Sequence, residues 1–192
     1  MILLETNRLL LRPLEASDWE HLLPFALNEP ETWQYSLISA AGEENLKNYI
    51  RIALEARDAG KELPFIVFDK QTQRYAGSTR FYDIQPENKS LQLGYTWYGK
   101  DFRGTGLNKH CKFLLLEYAF ETLGMERVEF RADNDNKRSI AAMKNIGCTV
   151  EGVLRHNGLK PDGTWRDSIV LSILSDEWFA SVKENLKLRM ES

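Results

Sequence analysis

Cysteine is nearly missing from this chain: Cys111 and Cys148 are the two among 192 residues. Two thiols make no disulfide framework, and they read as reduced thiols of a cytoplasmic protein. Histidine is equally sparse. His21, His110 and His156 stand far apart and lack metal-ligand spacing, so no metal is expected. No apolar run approaches the roughly 18 residues of a membrane span, which excludes a membrane partner of that kind. The opening MILLETNRLLLRPLE mixes acid and base and lacks the layout of a signal peptide. Basic excess is absent too: the net charge is -3 and the pI about 5.7, against what a general nucleic-acid binder carries. There is no repeat, linker or low-complexity segment. Hydrophobic residues make up 43%, enough for one sizeable core, and a chain of this length suits one domain.

Two nucleotide motifs are also wanting. The pattern G-x-x-x-x-G-K-[ST] occurs nowhere, and G-x-G-x-x-G fails because Lys109 stands at its third glycine. What is present is LGYTWYGKDFRGTGLNKHCKFLLLEY, residues 93–118. Tyr95, Thr96, Trp97 and Tyr98 favour an extended strand. Arg103, Gly104, Thr105 and Gly106 form a loop. Leu107, Cys111, Leu114, Leu115, Tyr118 and Ala119 then recur at helical spacing. A two-glycine loop feeding a helix leaves the first N–H groups unpaired and favours a phosphate there. This turn is expected to hold the pyrophosphate of a nucleotide-bearing cofactor.

Around it the elements read in order. Residues 8–14 form a first strand. The sequence Ser17, Asp18, Trp19, Glu20 is a capping box for a helix from 18 to about 27. Residues 28–42, with Pro30, Trp33 and Tyr35, form a loop or broken helix, either functional or an aromatic flap over the core edge. A helix over 43–59 ends at Gly60. Strands over 63–69, 75–84 and 91–98 have short polar links and make an antiparallel meander. The helix after the glycine loop crosses over to a strand at 127–132, so the fourth and fifth strands are parallel. A helix over 136–146 and strands over 149–155 and 165–174 follow. Ser175 caps a last helix whose buried face is Trp178, Phe179, Val182 and Leu186. The fold class is α/β, a mixed, mostly antiparallel sheet of about seven strands flanked by helices.

The run Arg103, Gly104, Thr105, Gly106, Leu107, Asn108 resembles the [QR]-x-x-G-x-[GA] pattern of the GNAT N-acetyltransferases, with Asn108 in place of a small residue. Within them it resembles the ribosomal-protein-alanine (RimJ/RimL-type) branch, which acetylates protein N-termini and small amines. The element order resembles that family over nearly the whole chain, and residues 1–192 are expected to be one such domain. A second motif, Asn136 to Ser139 followed by a helix, Gly147 and Cys148, resembles the family's N-x-x-S. The resemblance implies acetyl-CoA as co-substrate. Its pantetheine would lie where the fourth and fifth strands splay, against the backbone of Trp97 and Tyr98, whose rings pack the sheet faces. Asn136 would bind the arm and Ser139 would lie near the sulfur; alternatively Asp135 or Asn136 only caps the helix.

Acetyl transfer needs a neutral amine, a donor to the carbonyl oxygen and a proton for the leaving thiolate. The family's acid is commonly a tyrosine. The helix over 136–146 has none, and Ser139 is the expected substitute. The family's fourth-strand glutamate is here Gln92. Glu87, Asp83 or Glu151 could serve through a water, or the amine could bind already neutral. His110 faces a phosphate or solvent, and Cys111 belongs to the core. Arg103 serves the loop or a phosphate; Lys109, Lys112 and Arg138 meet the 3′-phosphate or solvate its rim. Trp33, Tyr35, His156 and Trp165 are expected to wall the acceptor cleft for a small amine or a protein N-terminus. The tail over 178–190 offers a homodimer surface. Set against a working enzyme, acting by direct transfer in a ternary complex, is a CoA-binding or regulatory protein that has lost turnover.

Overall fold

The computed structural model describes residues 2–191. β1 (Leu4–Glu5) and β2 (Leu9–Pro13) lead into α1 (Trp19–Asn28) and α2 (Glu43–Asp58). β3 (Leu63–Asp69), β4 (Arg74–Gln85) and β5 (Ser90–Tyr98) form the meander. α3 (Leu107–Glu117) continues through a wider turn at Tyr118–Thr122 and crosses to β6 (Arg127–Asp133). α4 (Lys137–Asn145), β7 (Thr149–Leu154) and β8 (Ser168–Leu174) follow. α5 (Ser175–Glu177) and α6 (Lys183–Glu191) flank a wider turn at Trp178–Val182.

Among the described residues, eight strands join one sheet in the order β1-β2-β3-β4-β5-β6-β8-β7. Every pairing is antiparallel except β5 with β6. The mixed α/β sheet is as expected, with β1 as the additional strand; two residues are too few to show a period. Helices cover both faces. Trp97 meets Phe25 of α1 edge-on, while its neighbour Thr96 meets Lys112 of α3, and successive strand residues point to opposite faces. One contiguous core runs from Leu9 to Leu186.

Four expectations about these elements are corrected. α1 begins one residue later than expected, after a 3-10 turn at Ala16–Asp18, and the reach-back is from Asp18, whose Oδ2 accepts from the Glu15 amide at 2.8 Å. The box expected from Ser17 to Glu20 is thus replaced by one from Glu15 to Asp18; Asp18 takes the cap position of α1, and its buried carboxylate is also gripped by Arg12 Nη1 and Nη2. At the other end Leu174 is the cap and Ser175 the first helical residue; Glu177 accepts from the Leu174 amide. Phe179 is 61% exposed, whereas Trp178, Val182 and Leu186 are buried. Adjacent helical residues point about 100° apart, and Trp178 takes the inward direction, stacked on Phe120. The tail thus folds back on α3. β8 starts at Ser168, later than expected, because Trp165 is held in an isolated bridge with Leu159.

Candidate active site

β5 and β6 run together only briefly. Ser90, Leu91 and Gln92 pair with Arg127, Val128 and Glu129, and then the strands part. β6 keeps full pairing with β8 on its other side, so β5 is the strand that leaves. A bulge drives the departure. Ser78 faces Trp97 while Arg80 faces Gly94, which leaves one more residue on β5 than on β4. Tyr95 in that bulge has φ +50, unusual for an aromatic residue. Its neighbours fix it there. The Tyr49 hydroxyl donates to the Tyr95 carbonyl at 3.3 Å. The Arg80 guanidinium lies 4.1 Å from the Tyr95 ring centre and 4.6 Å from that of Tyr49, and is itself anchored to Glu62 at 2.8 Å.

Past Gln92, therefore, the side of β5 that faces β6 has no strand partner. A cavity of about 890 Å³ opens along it. One end reaches Gly104, Gly106 and the start of α3; the other reaches Tyr35, Tyr82 and Arg166. Gly104 and Gly106 have φ +76 and +86, and a Cβ added at either would meet no protein atom within 4 Å. Their lack of a side chain therefore serves the turn and the approach of another molecule, not internal packing. Gly106 caps α3 without contributing a side-chain oxygen to its first N–H groups, and no acid stands in that turn. The geometry is that of an anion site opening into a slot of unpaired strand backbone. It fits a diphosphate with an extended diamide arm, which pairs with a strand as a peptide does.

Of the residues expected at a cofactor, Trp97, Tyr98, Arg103, Gly104, Gly106, Asn108, Asn136 and Ser139 all line this cavity, and Thr105 and Leu107 do not. Thr105 turns its hydroxyl to the Phe102 carbonyl at 2.8 Å, and Leu107 is buried in the core. Arg103 serves the loop: Nε donates to the Tyr98 carbonyl at 2.8 Å and Nη2 to Thr32 Oγ1 at 2.7 Å. Asn108 accepts from the Tyr98 hydroxyl at 3.2 Å, a tie between β5 and α3 that a small residue would lack. Asn136 caps α4, its Oδ1 accepting from the Ser139 amide at 3.1 Å.

Trp33 and Tyr35 line the cavity, but His156 and Trp165 stack on each other outside it, with ring centres 5.2 Å apart. The four do not form one aromatic wall. Of the carboxylates weighed as base, only Asp83 lines the cavity. Its Oδ2 accepts from Gln92 Nε2 at 2.8 Å, and its φ of +48 marks a second irregularity in β4. Glu151 is tied to Arg127 and Ser172 away from the cavity, and Glu87 lies in the exposed turn at Pro86–Asn88. Cys111 is in the core as expected. His110 contacts Thr6 Oγ1 at 3.3 Å, and burial lowers its pKa.

Lys112 is the principal correction. The sequence places it at the phosphate rim; the structure buries it in the gap, 5% exposed, with Nζ donating to Thr96 Oγ1 at 2.8 Å. Burial pushes its ammonium down to about 8. The available signal was a lysine embedded in the apolar run CKFLLL. Arg131 and Arg166 also line the cavity and were not anticipated. Burial lowers the Arg166 pKa; its Nη1 donates to the Tyr35 carbonyl at 3.3 Å, and its Nε has no protein partner among the described residues.

The chain matches the model of the acetyltransferase (GNAT) domain over residues 8–149. It is 27% identical over 176 residues to the uncharacterized N-acetyltransferase p20 of Bacillus licheniformis, covering 91% of this chain and 97% of that one. Its fold is similar to a GCN5-related N-acetyltransferase from Brucella melitensis, with a TM-score of 0.89, 24% identity and coverage of 98% and 85%. It is also similar in fold to Mycobacterium smegmatis RimJ in complex with CoA-disulfide, with a TM-score of 0.79, 20% identity and coverage of 94% and 88%.

Proposed function

The chain belongs to the GNAT family of acetyltransferases and is an N-acetyltransferase, and from that premise we propose that it moves an acetyl group from acetyl-CoA to a primary amine by direct transfer within a ternary complex. The observation that carries this reading is the slot between β5 and β6 ending at the start of α3. In it the backbone at Gly104 and Gly106 would hold the diphosphate. The free edge of β5 at Trp97 and Tyr98 would pair with the pantetheine amides, and Asn136 and Ser139 would flank the arm from α4. Acetyl-CoA supplies an activated acetyl carbon; the chain supplies position, a dry site and proton traffic.

Asp83 is the base in this reading. Of Asp83, Glu87 and Glu151 it is the one that lines the cavity, and Gln92, in place of the family's glutamate, holds it there by a hydrogen bond; Asp133, which also lines the cavity, lies on β6 and accepts from the Asp135 amide. The acceptor enters at the end of the cavity lined by Tyr35, Tyr82 and Arg166. Arg131, paired with Glu129, and Arg166, facing Asp133, share that cavity with Asp83, so these charges nearly balance, and the acceptor of this reading is a protein N-terminus, as in the RimJ/RimL branch, or a small amine. In this reading residues 1–192 act as one domain.

Calorimetry with acetyl-CoA, CoA and NAD tests the slot: acetyl-CoA and CoA should bind and NAD should not. Thiol release is then followed across a panel of peptides, monoamines and polyamines. Release stimulated by peptides or monoamines supports the reading, and tight acetyl-CoA binding without stimulation by any of them overturns it in favour of a non-catalytic CoA-binding protein. Asp83→Asn should lower kcat on the order of 100-fold with acetyl-CoA affinity retained; an unchanged kcat removes Asp83 from the mechanism.

A further inference from the structure

Resting on the reading that the pantetheine arm lies between β5 and β6, we propose that Lys112 is a catalytic residue whose ammonium gives its proton to the departing CoA thiolate. Its Nζ lies between the two walls of the gap, and the titratable groups that act on it are the buried thiols of Cys111 and Cys148. Thr96 Oγ1 on β5 accepts from it at 2.8 Å, and the Phe130 ring centre on β6 lies 5.7 Å away. Thr96 is in turn fixed by Thr79 across the β4–β5 ladder, with the hydroxyl oxygens 2.7 Å apart. The ammonium is thus held at the floor of the slot by a short hydroxyl chain.

A purely structural role does not account for it. The flanking Cys111 and Phe113 are buried in apolar packing, and Lys112 forms no ion pair with any described carboxylate. A residue needed only to fill that space would be apolar, since burying an unpaired ammonium is costly. A phosphate role does not fit either. Lys112 lies five residues into α3, about 7.5 Å along its axis from the anion-binding start. That displacement carries it from the diphosphate end toward the bulge of β5. Burial also brings the ammonium to about 8, close to the roughly 8.5 of a free thiol, so proton transfer between them is near balance.

The step balances as follows. The neutral acceptor nitrogen forms a bond to the acetyl carbon as the carbon–sulfur bond breaks. The bonding pair stays on sulfur, which takes a proton from Lys112 Nζ to give the thiol. The surplus proton on the new amide nitrogen passes to Asp83 or water, and Lys112 regains one from solvent.

The test uses the full chain and the Lys112→Met and Lys112→Gln variants. Calorimetry comes first: absence of acetyl-CoA binding by the unaltered protein would remove the slot reading itself. Given binding, the thiolate absorbance of the CoA complex is titrated against pH. The expected result is a thiol that ionises at lower pH in the unaltered protein than in either folded variant. With an active acceptor, kcat should fall on the order of 100-fold in both variants while acetyl-CoA affinity stays within a few-fold. The decline of kcat as Lys112 loses its proton should vanish with it. Equal thiol titrations in the unaltered protein and a folded variant would overturn the proposal and leave the slot reading intact.

Discussion

A side chain that is worse for the fold than its replacement is evidence of a role other than folding, and Lys112 can be examined that way without any substrate. The unfolded chain titrates this lysine near 10.5 and the folded one near 8. Between those values the unfolded chain holds a proton that the folded chain has released, so raising the pH through the window favours folding. Below it the full cost of the buried charge is present, about 3 kcal/mol. Lys112→Met keeps the length of the side chain and removes the charge. It should be more stable than the parent at pH 7 by about 2–3 kcal/mol, or very roughly 5–10 °C in Tm for a chain of this size. Urea unfolding of both proteins as a function of pH checks this. The gap should narrow as pH rises from 8 to 10.5; a variant less stable than the parent at pH 7 would mean that the lysine is a structural tie.

Among the elements, β5 decides whether there is a site at all, and its bulge rests on Arg80. This guanidinium is 1% exposed, stacked on Tyr95 and Tyr49, and paired with Glu62. Glu62→Gln leaves the cation buried without its counter-charge and should cost about 3 kcal/mol in urea unfolding, with weaker acetyl-CoA binding as the bulge relaxes. A loss below about 0.5 kcal/mol with unchanged affinity would show that the bulge is held by Tyr49 alone. At the other end of the slot, Gly106→Trp should abolish acetyl-CoA binding in calorimetry, while Gly106→Ala, strained by its positive φ, should lose about 1–2 kcal/mol of stability. The contrast between these two places explains what was legible in the sequence. The glycine loop and the helix after it follow from local chemistry: two glycines, then an apolar stripe. The bulge does not, because Tyr95 is a good strand former and its φ is imposed by residues 15 and 46 positions away. Lys112 was misplaced for a related reason. Its charge pointed to the surface, and only the parting of β5 from β6 makes a buried position for it. The Ser17–Glu20 box and Phe179 failed on competition: the buried Asp18, held by Arg12, reaches back to Glu15 in place of the first, and Trp178 claimed the inward face from the second.

At the scale of the molecule, the sheet is two halves joined by a short seam. β1 to β5 form one half and β6, β8 and β7 the other, with three residue pairs of β5 and β6 between them. An extended arm that pairs with β5 beyond Gln92 would act as the missing length of strand and lengthen that seam. Its effect should be visible in two ways. Acetyl-CoA at about 100 times its Kd adds about 2.7 kcal/mol to the folded state, or very roughly 5–10 °C in Tm. Amide exchange should slow most at residues 94–98, on the amides that face β6, because those groups gain a hydrogen-bond partner. β3 is already paired on both sides by β2 and β4, and β8 by β6 and β7, so their amides should change only with global stability. Exchange that slows uniformly over the sheet would mean stabilisation without strand pairing. Protection at the start of α3 alone would mean that only the diphosphate is held. Selective slowing at 94–98 together with the start of α3 is the pattern that an arm laid from the glycine turn along the free edge of β5 must produce.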